Sequence, residues 1–309
     1  MTDQAQALPK ALHGWIILDK PLGLGSTQAV SAVKRALREA GCAKVKVGHG
    51  GTLDPLATGV LPVALGEATK LAGRMLDASK IYDFTICFGT QTDSLDLEGQ
   101  VIATSDVRPT LAQVEAVLPR FTGPIEQVPP AFSALKVDGK RAYDLARAGE
   151  EVTLATRAVT IHALDIRGSV PGDAGLESVT LSAFVSKGTY IRSLARDIAA
   201  ALGTVGHVTM LRRTKAGPFT LEQAISLDKL AEIAKARSLE DLCLPIRTAL
   251  DDIPALALGP EQARLLRHGQ FLSGVAVLDG LHLALLDEMP VALVECLSGT
   301  VKVERGFNL

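Results

Sequence analysis

ESVTLSAFVSKGTYIRSLARDIAAALGTVGHVTMLRRTKAG, residues 177–217, carries the pattern on which the fold turns. It opens on a β-rich run to residue 187 and continues in a helix at about 189–202, with apolar Ile191, Leu194, Ile198 and Leu202 at helical spacing. A strand, HVTMLRRTKAG, closes it, and a further β-rich stretch, 152–168, lies upstream. Strands and helices therefore mix without the regular βαβ alternation of a doubly wound parallel sheet. The expectation is an α+β fold: a mixed, largely antiparallel sheet with flanking helices.

Toward the N-terminus, GWIILDKP (14–21) reads as a short buried strand ending in a Pro-Gly turn. A helix should follow, with Ala29, Val30, Val33, Ala36 and Leu37 on one face and Ser26 or Thr27 as its cap. GHGGTLDPLATGVLPVALG is too rich in glycine and proline to be regular; EATKLAGRMLDAS reads as a helix and KIYDFTICFG as a half-buried strand. Thr110 can cap a helix at 110–120. Residues 123–150 combine three prolines with Lys136, Lys140, Arg141 and Arg147, which suits a protruding loop and short helix. From about 251 the pattern changes to short strands around Gly-Pro and Asp-Gly turns, a small β-rich domain.

Composition limits the function classes. With 47% hydrophobic and 21% charged residues, the 309-residue chain can bury a substantial core, and two domains is the natural count. No run approaches the roughly 18 apolar residues of a membrane helix, and MTDQAQALPK lacks a signal-peptide plan, so a cytoplasmic location is expected. Cys42, Cys87, Cys243 and Cys296 are scattered, with no metal-ligand spacing, and read as reduced thiols. The net charge of −2 argues against indiscriminate nucleic-acid binding. It is uneven, however: residues 226–309 hold 8 Lys/Arg against 12 Asp/Glu, so any RNA-binding face belongs to the first part of the chain.

Residues 48–70, GHGGTLDPLATGVLPVALGEATK, set His49 and Asp54 among five glycines and two prolines. Glycine opens backbone conformations closed to other residues, and Pro55 fixes the one after Asp54, so such a loop can hold one carboxylate in a defined pose. On spacing alone, an ordinary turn in which Asp54 caps the next segment fits equally well.

Together with DKPLGLGST (19–27), KIYDF (80–84) and SKGTYIRSLARDIAAALG (186–203), this run resembles the TruB family of tRNA pseudouridine synthases. The likeness extends over roughly residues 13–225, and four motifs in the right order are far more specific than any one. The resemblance implies a catalytic domain at 1–250 with an RNA-gripping insertion at about 123–150, and a PUA-like domain at 251–309. It implies that Asp54 is the nucleophile and Arg192 its partner, an opposed guanidinium that keeps the carboxylate charged and oriented. Tyr82 matches the tyrosine that stacks on the target base, with a further part in proton removal open to its hydroxyl. Leu211 matches an apolar residue against the base, and His49 the residue that fills the gap left when the uridine is extruded. A lone histidine would otherwise read as structural.

Tyr190, Lys20, Lys136, Arg141 and Arg212 complete the expected substrate-binding set, Lys20 as a support of the active-site loop. Lys34, Arg35, Arg38, Lys44, Lys46, Lys140, Arg213 and Lys215 are further candidates for a phosphate-contacting face, although any single one is an ordinary surface charge by default. The implied substrate is the uridine at position 55 in the T-arm stem-loop of tRNA. No metal or organic cofactor is required, and a monomer without an obligatory protein partner is expected. The acidic C-terminal part departs from what an RNA-gripping module should carry.

Three other readings exist. Synthases of this fold also work inside guide-RNA complexes, which the absence of long basic extensions disfavours. WIILDKPLGLGST also reads as a phosphate-binding loop, but it lacks both the third glycine of a dinucleotide fingerprint and the GK[ST] of a P-loop. An RNA chaperone could bind and refold tRNA with its catalytic site dispensable.

Overall fold

The computed structural model describes residues 10–133, 135–137, 139–148 and 154–309. In chain order its elements begin β1 (Gly14–Lys20), α1 (Ser26–Glu39), β2 (Val47–His49), β3 (Ala57–Leu65), α2 (Ala72–Asp77), β4 (Lys80–Phe88), β5 (Thr90–Thr92), β6 (Val101–Thr104) and α3 (Leu111–Val117). They continue with β7 (Gly123–Gln127), β8 (Lys136–Val137), β9 (Lys140–Arg141), α4 (Ala142–Arg147), β10 (Arg157–Gly172), β11 (Gly175–Val185), α5 (Ile191–Ala201) and β12 (Gly206–Ala216). The chain closes with β13 (Phe219–Thr220), α6 (Leu227–Lys235), β14 (Ala255–Ala257), α7 (Pro260–Arg267), β15 (Gly280–Leu286), β16 (Met289–Leu297) and β17 (Thr300–Gly306).

One nine-stranded sheet organises the larger part, in the order β1-β3-β12-β4-β11-β10-β7, with β2 on β3 and β13 on β12. Every pairing in it is antiparallel except β12 with β3, which run parallel over Leu211–Arg213 and Ala57–Gly59. The fold is thus α+β with a mixed, largely antiparallel sheet, as the strand and helix pattern predicts. A separate four-stranded sheet, β14-β15-β16-β17, forms the C-terminal β unit.

Two cores share one face of the large sheet. Phe84, Ile86 and Leu181 pack under Ile191, Leu194 and Ile198 of α5; Ile16, Leu18, Leu61 and Val63 pack under Ala29, Val33 and Leu37 of α1. Tyr82 and Leu211 touch both cores and mark the seam between them. On the opposite face, Trp15, Ile17 and Val60 join Phe219, Leu283, Leu293 and Phe307 in a third core, which fastens the C-terminal unit to the large sheet.

Three local expectations are corrected. The second half of the Gly/Pro-rich run is regular: β3 occupies Ala57–Leu65, with every residue from Gly59 to Leu65 buried. Pro62 is tolerated because its N and O face the same sheet edge, where its carbonyl takes the Gly50 N–H at 2.9 Å. Its missing donor falls in the gap between the β12 pairing, which ends at Gly59, and the β2 pairing, which begins at Val63. At α1, neither Ser26 nor Thr27 caps: Gly25 occupies the N-cap and gives its N–H to the Gln28 carboxamide at 2.8 Å. Thr110 does cap α3, accepting the Gln113 N–H. Within the segment expected to protrude, Gly123–Gln127 is the edge strand of the sheet, paired with β10.

Candidate active site

The parallel contact of β3 with β12 and the antiparallel one of β12 with β4 set Ala57, Leu211 and Phe84 in one cross-strand row and Gly59, Arg213 and Tyr82 in the next. Side chains in a row share a face. The Gly50–Leu56 loop entering β3 therefore lies directly over Leu211, Arg213 and Tyr82. Gly59 makes the crossing possible: its φ is +100°, and a Cβ there would meet the Arg213 carbonyl oxygen at 2.1 Å.

Three groups pin that loop around Asp54. Ser26 Oγ donates to the Leu53 carbonyl at 3.0 Å and accepts the Leu53 N–H at 2.8 Å. Lys20 is fully buried and donates through Nζ to the carbonyls of Leu24 (2.6 Å), Pro21 (3.0 Å) and Pro55 (3.3 Å). Burial pulls its pKa down to about 8, with Asp54 acting upward and Arg213 downward. Arg213, also buried, donates to Val60 (2.7 Å), Gly51 (3.1 Å) and Thr52 (3.4 Å). The residues on both sides of Asp54 are thereby fixed, and the carboxylate, 42% exposed, is left at the solvent side.

Arg192, the second residue of α5, approaches it from below. Its side chain is only 6% exposed, and Nη2 lies 2.8 Å from Asp54 Oδ2. The other contacts satisfy the guanidinium fork: Nη1 donates to the Ser94 carbonyl at 2.8 Å and lies 3.3 Å from Asp96 Oδ2, and Nη2 donates to the Phe132 carbonyl at 2.9 Å. Asp96 is itself held by the Ser94 hydroxyl (2.5 Å) and the Glu98 N–H (3.0 Å). A buried cation thus stands between a buried carboxylate that orients it and a half-exposed one that it orients.

Asp54, Tyr82, Tyr190, Arg192 and Leu211 line one cavity of about 290 Å³, together with Lys80, Ser133 and Arg213. Tyr190 trades backbone bonds with the Gln127 carboxamide, and burial pushes its phenol pKa up. The other expected residues lie apart. Lys20 sits beneath the loop; His49 ends β2, half-buried, its pKa lowered by burial and by Arg213, and its Nδ1 takes the Gly51 N–H. Arg212 is engaged in a two-point pair with Asp19 at 2.8 and 3.0 Å. The side chains of Lys136, Lys140, Arg141 and Arg147 lie outside the described residues. Lys34, Arg35, Arg38, Lys44 and Lys46 are exposed, whereas Arg213 is not a surface cation at all.

Reading motifs misses Asp96, Ser26 and Lys80. Asp96 lies in TDSLDLEGQ, where acids among Ser and Gly signal only a turn. Lys80 looks like the polar start of a strand, but it is buried and caps the end of α2, donating to the carbonyls of Met75, Leu76 and Ala78 at 2.5–3.0 Å. Burial brings its pKa to about 8 as well. Among the described residues no cluster of three or more His, Cys, Asp or Glu could hold a metal ion, and no helix is long and apolar enough to cross a membrane.

The chain is similar to known proteins over nearly its whole length. Residues 34–191 match the family model of the TruB family pseudouridylate synthase N-terminal domain, and residues 192–251 that of the tRNA pseudouridylate synthase B C-terminal domain. The tRNA pseudouridine synthase B of Novosphingobium aromaticivorans is 67% identical over 96% of this chain and 98% of its own. That of Zymomonas mobilis is 61% identical over 96% and 97%. Among solved structures, a chain of a Cbf5-Nop10-Gar1 complex superposes with a TM-score of 0.71 at 26% identity, covering 100% of this chain and 91% of that one.

Proposed function

The chain belongs to the TruB family of pseudouridylate synthases, and from that premise we propose that it isomerises the uridine at position 55 in the T arm of tRNA, with Asp54 as nucleophile. It is an isomerase acting on tRNA. The observation that carries the finer reading is the Asp54–Arg192 pair at 2.8 Å, one partner buried and the other open to the cavity.

In this reading a uridine is extruded into the cavity at a cost of a few kcal/mol for unstacking. Tyr82 stacks on its ring and Leu211 packs against it, since both line the cavity. The Asp54 carboxylate adds to the base or the sugar, and the bond from N1 to C1′ breaks. After the base rotates, C5 bonds to C1′, the C5 proton leaves, N1 gains a proton and the carboxylate is regenerated. Atoms balance without an oxidant or reductant. Arg192 holds one Asp54 oxygen and leaves the other turned to the reacting carbon. His49 fills the gap in the RNA as a neutral imidazole, a state its lowered pKa favours. Tyr190 packs at the cavity wall, Lys20 keeps the loop in place, and Lys136, Arg141 and Arg212 contact the RNA backbone, Arg212 by exchanging Asp19 for phosphate.

The catalytic part spans residues 1–250 with its RNA-gripping insertion near 123–150, and residues 251–309 form a PUA-like unit. The enzyme works in the cytoplasm as a monomer without an obligatory protein partner. Carbodiimide labelling and primer extension on unmodified whole tRNA test the assignment. A single new stop one nucleotide 3′ of position 55 after incubation is the expected result, and a stop elsewhere or none contradicts it.

A further inference from the structure

The cleft has a second, outer chamber. A hollow of about 330 Å³ lies just outside the Asp54 cavity, lined by Leu76, Asp77, Arg157, Val159, Lys187 and Gly188. It shares Leu76 and Gly188 with the inner cavity, so the two adjoin. One lip is the end of α2; the other is the turn from β11 into α5, the same turn that presents Tyr190 and Arg192.

Two cations border this hollow. Arg157, exposed at the first position of β10, lies over Gly188, its guanidinium carbon 3.7 Å from where a Cβ would stand. It is also the leading charge acting on the Tyr190 phenol. Its reach therefore extends from the hollow to the cavity wall. Lys187 bridges the lips, with Nζ 3.0 Å from Asp77 Oδ1. Both members of this pair are about two-thirds exposed, at 63% and 64%, in contrast to the buried Arg192–Asp54 contact. An ion pair so open to water is weak and readily exchanged, and a phosphate can take the same lysine in a charge-assisted bond.

A nucleotide with its base in the inner cavity must leave its phosphates outside, and this hollow adjoins that cavity. The geometry points to a phosphodiester subsite formed by Arg157 and Lys187, which takes the backbone next to the extruded uridine, with Asp77 releasing Lys187 as the RNA enters. It rests on the reading of the inner cavity as the uridine site, and it gives Asp77 a role: a competing anion that any RNA must displace. A strand that delivers phosphate here breaks the bridge, and one that does not leaves it closed.

Affinity of a T-arm hairpin, measured against salt concentration, tests this with wild type, Arg157→Gln, Lys187→Gln and Asp77→Asn. Each cation variant is expected to bind several-fold more weakly at 0.1 M salt and to reduce the slope of log affinity against log salt by about 1. Asp77→Asn is expected to bind several-fold more tightly. Single-turnover isomerisation by wild type at saturating RNA, run in parallel, reports whether the inner cavity is the uridine site. Wild-type slope and affinity in both cation variants, with wild-type isomerisation intact, would overturn the subsite alone. Absence of isomerisation by wild type would instead overturn the reading of the inner cavity. All positions are exposed, and matching circular dichroism and unfolding midpoints establish that the variants fold.

Discussion

Asp96 shows what one side chain does for another. Besides Asp54, Arg192 contacts Asp96 and two backbone carbonyls, so its position is set largely by groups that do not line the cavity. Asp96→Asn keeps the shape and the acceptor for the Glu98 N–H, but sets an amide against Nη1 and removes a charge. Because the buried guanidinium then keeps only the half-exposed Asp54 as a counter-charge, the variant should lose about 3 kcal/mol of stability. Turnover should fall by roughly a hundredfold as Arg192 shifts, while hairpin affinity stays within a few-fold. Equal losses in turnover and affinity would place Asp96 in RNA binding instead. Asp54 and Arg192 are legible in the sequence because each lies in a motif whose order identifies it. Asp96 is not, since burial and partnership, not residue type, give it its role. Arg213 errs the other way: composition makes it a surface cation, and the β3–β12 crossing buries it.

At the scale of elements, the Asp54 loop is a product of β1, α1, β3 and β12 together. Ser26 opens α1 but spends its hydroxyl on Leu53, one residue before Asp54. Ser26→Ala leaves the buried Leu53 N–H without its partner and should cost about 1–3 kcal/mol. It should also lower turnover more than affinity, and unchanged turnover would mean that Lys20 and Arg213 suffice to hold the loop. The helices and the alternating strands are readable from periodicity, because one apolar face is enough to declare them. β3 is hidden by its glycines and proline. Gly59 serves a close backbone approach and Pro62 a gap in pairing, both of which depend on strands remote in sequence.

The whole molecule couples these parts through burial. Lys20 and Lys80 each have a pKa brought down to about 8 by burial. Below pH 8 both the folded and unfolded chains carry these protons, and the buried charges cost their full penalty. Above it, the folded state has released protons that the unfolded chain still holds, so these groups make stability rise with pH up to about 10. Urea unfolding should show wild type gaining roughly 1 kcal/mol on Lys80→Met between pH 8 and pH 9. A flat difference would mean that Lys80 keeps its ordinary pKa. The third core joins Trp15 and Phe219 to Leu283, Leu293 and Phe307, so the C-terminal unit should not melt alone. Phe307→Ala should remove about 3–5 kcal/mol and lower a single calorimetric transition. Two separate transitions would contradict that coupling. The change of pattern near residue 251 is legible in the sequence, but the core shared across it is not, because Phe307 and Trp15 meet only through tertiary packing.

The central claim, that Asp54 drives isomerisation of a T-arm uridine, is tested most directly by tritium release from a hairpin labelled at uracil C5. Forming the carbon–carbon link must expel that label. Wild type should release it, Asp54→Asn should bind the same hairpin and release none, and a hairpin with labelled cytidine at the target should stay inert. Release by Asp54→Asn at the wild-type rate, or no release by wild type from either the hairpin or whole unmodified tRNA, would contradict the account.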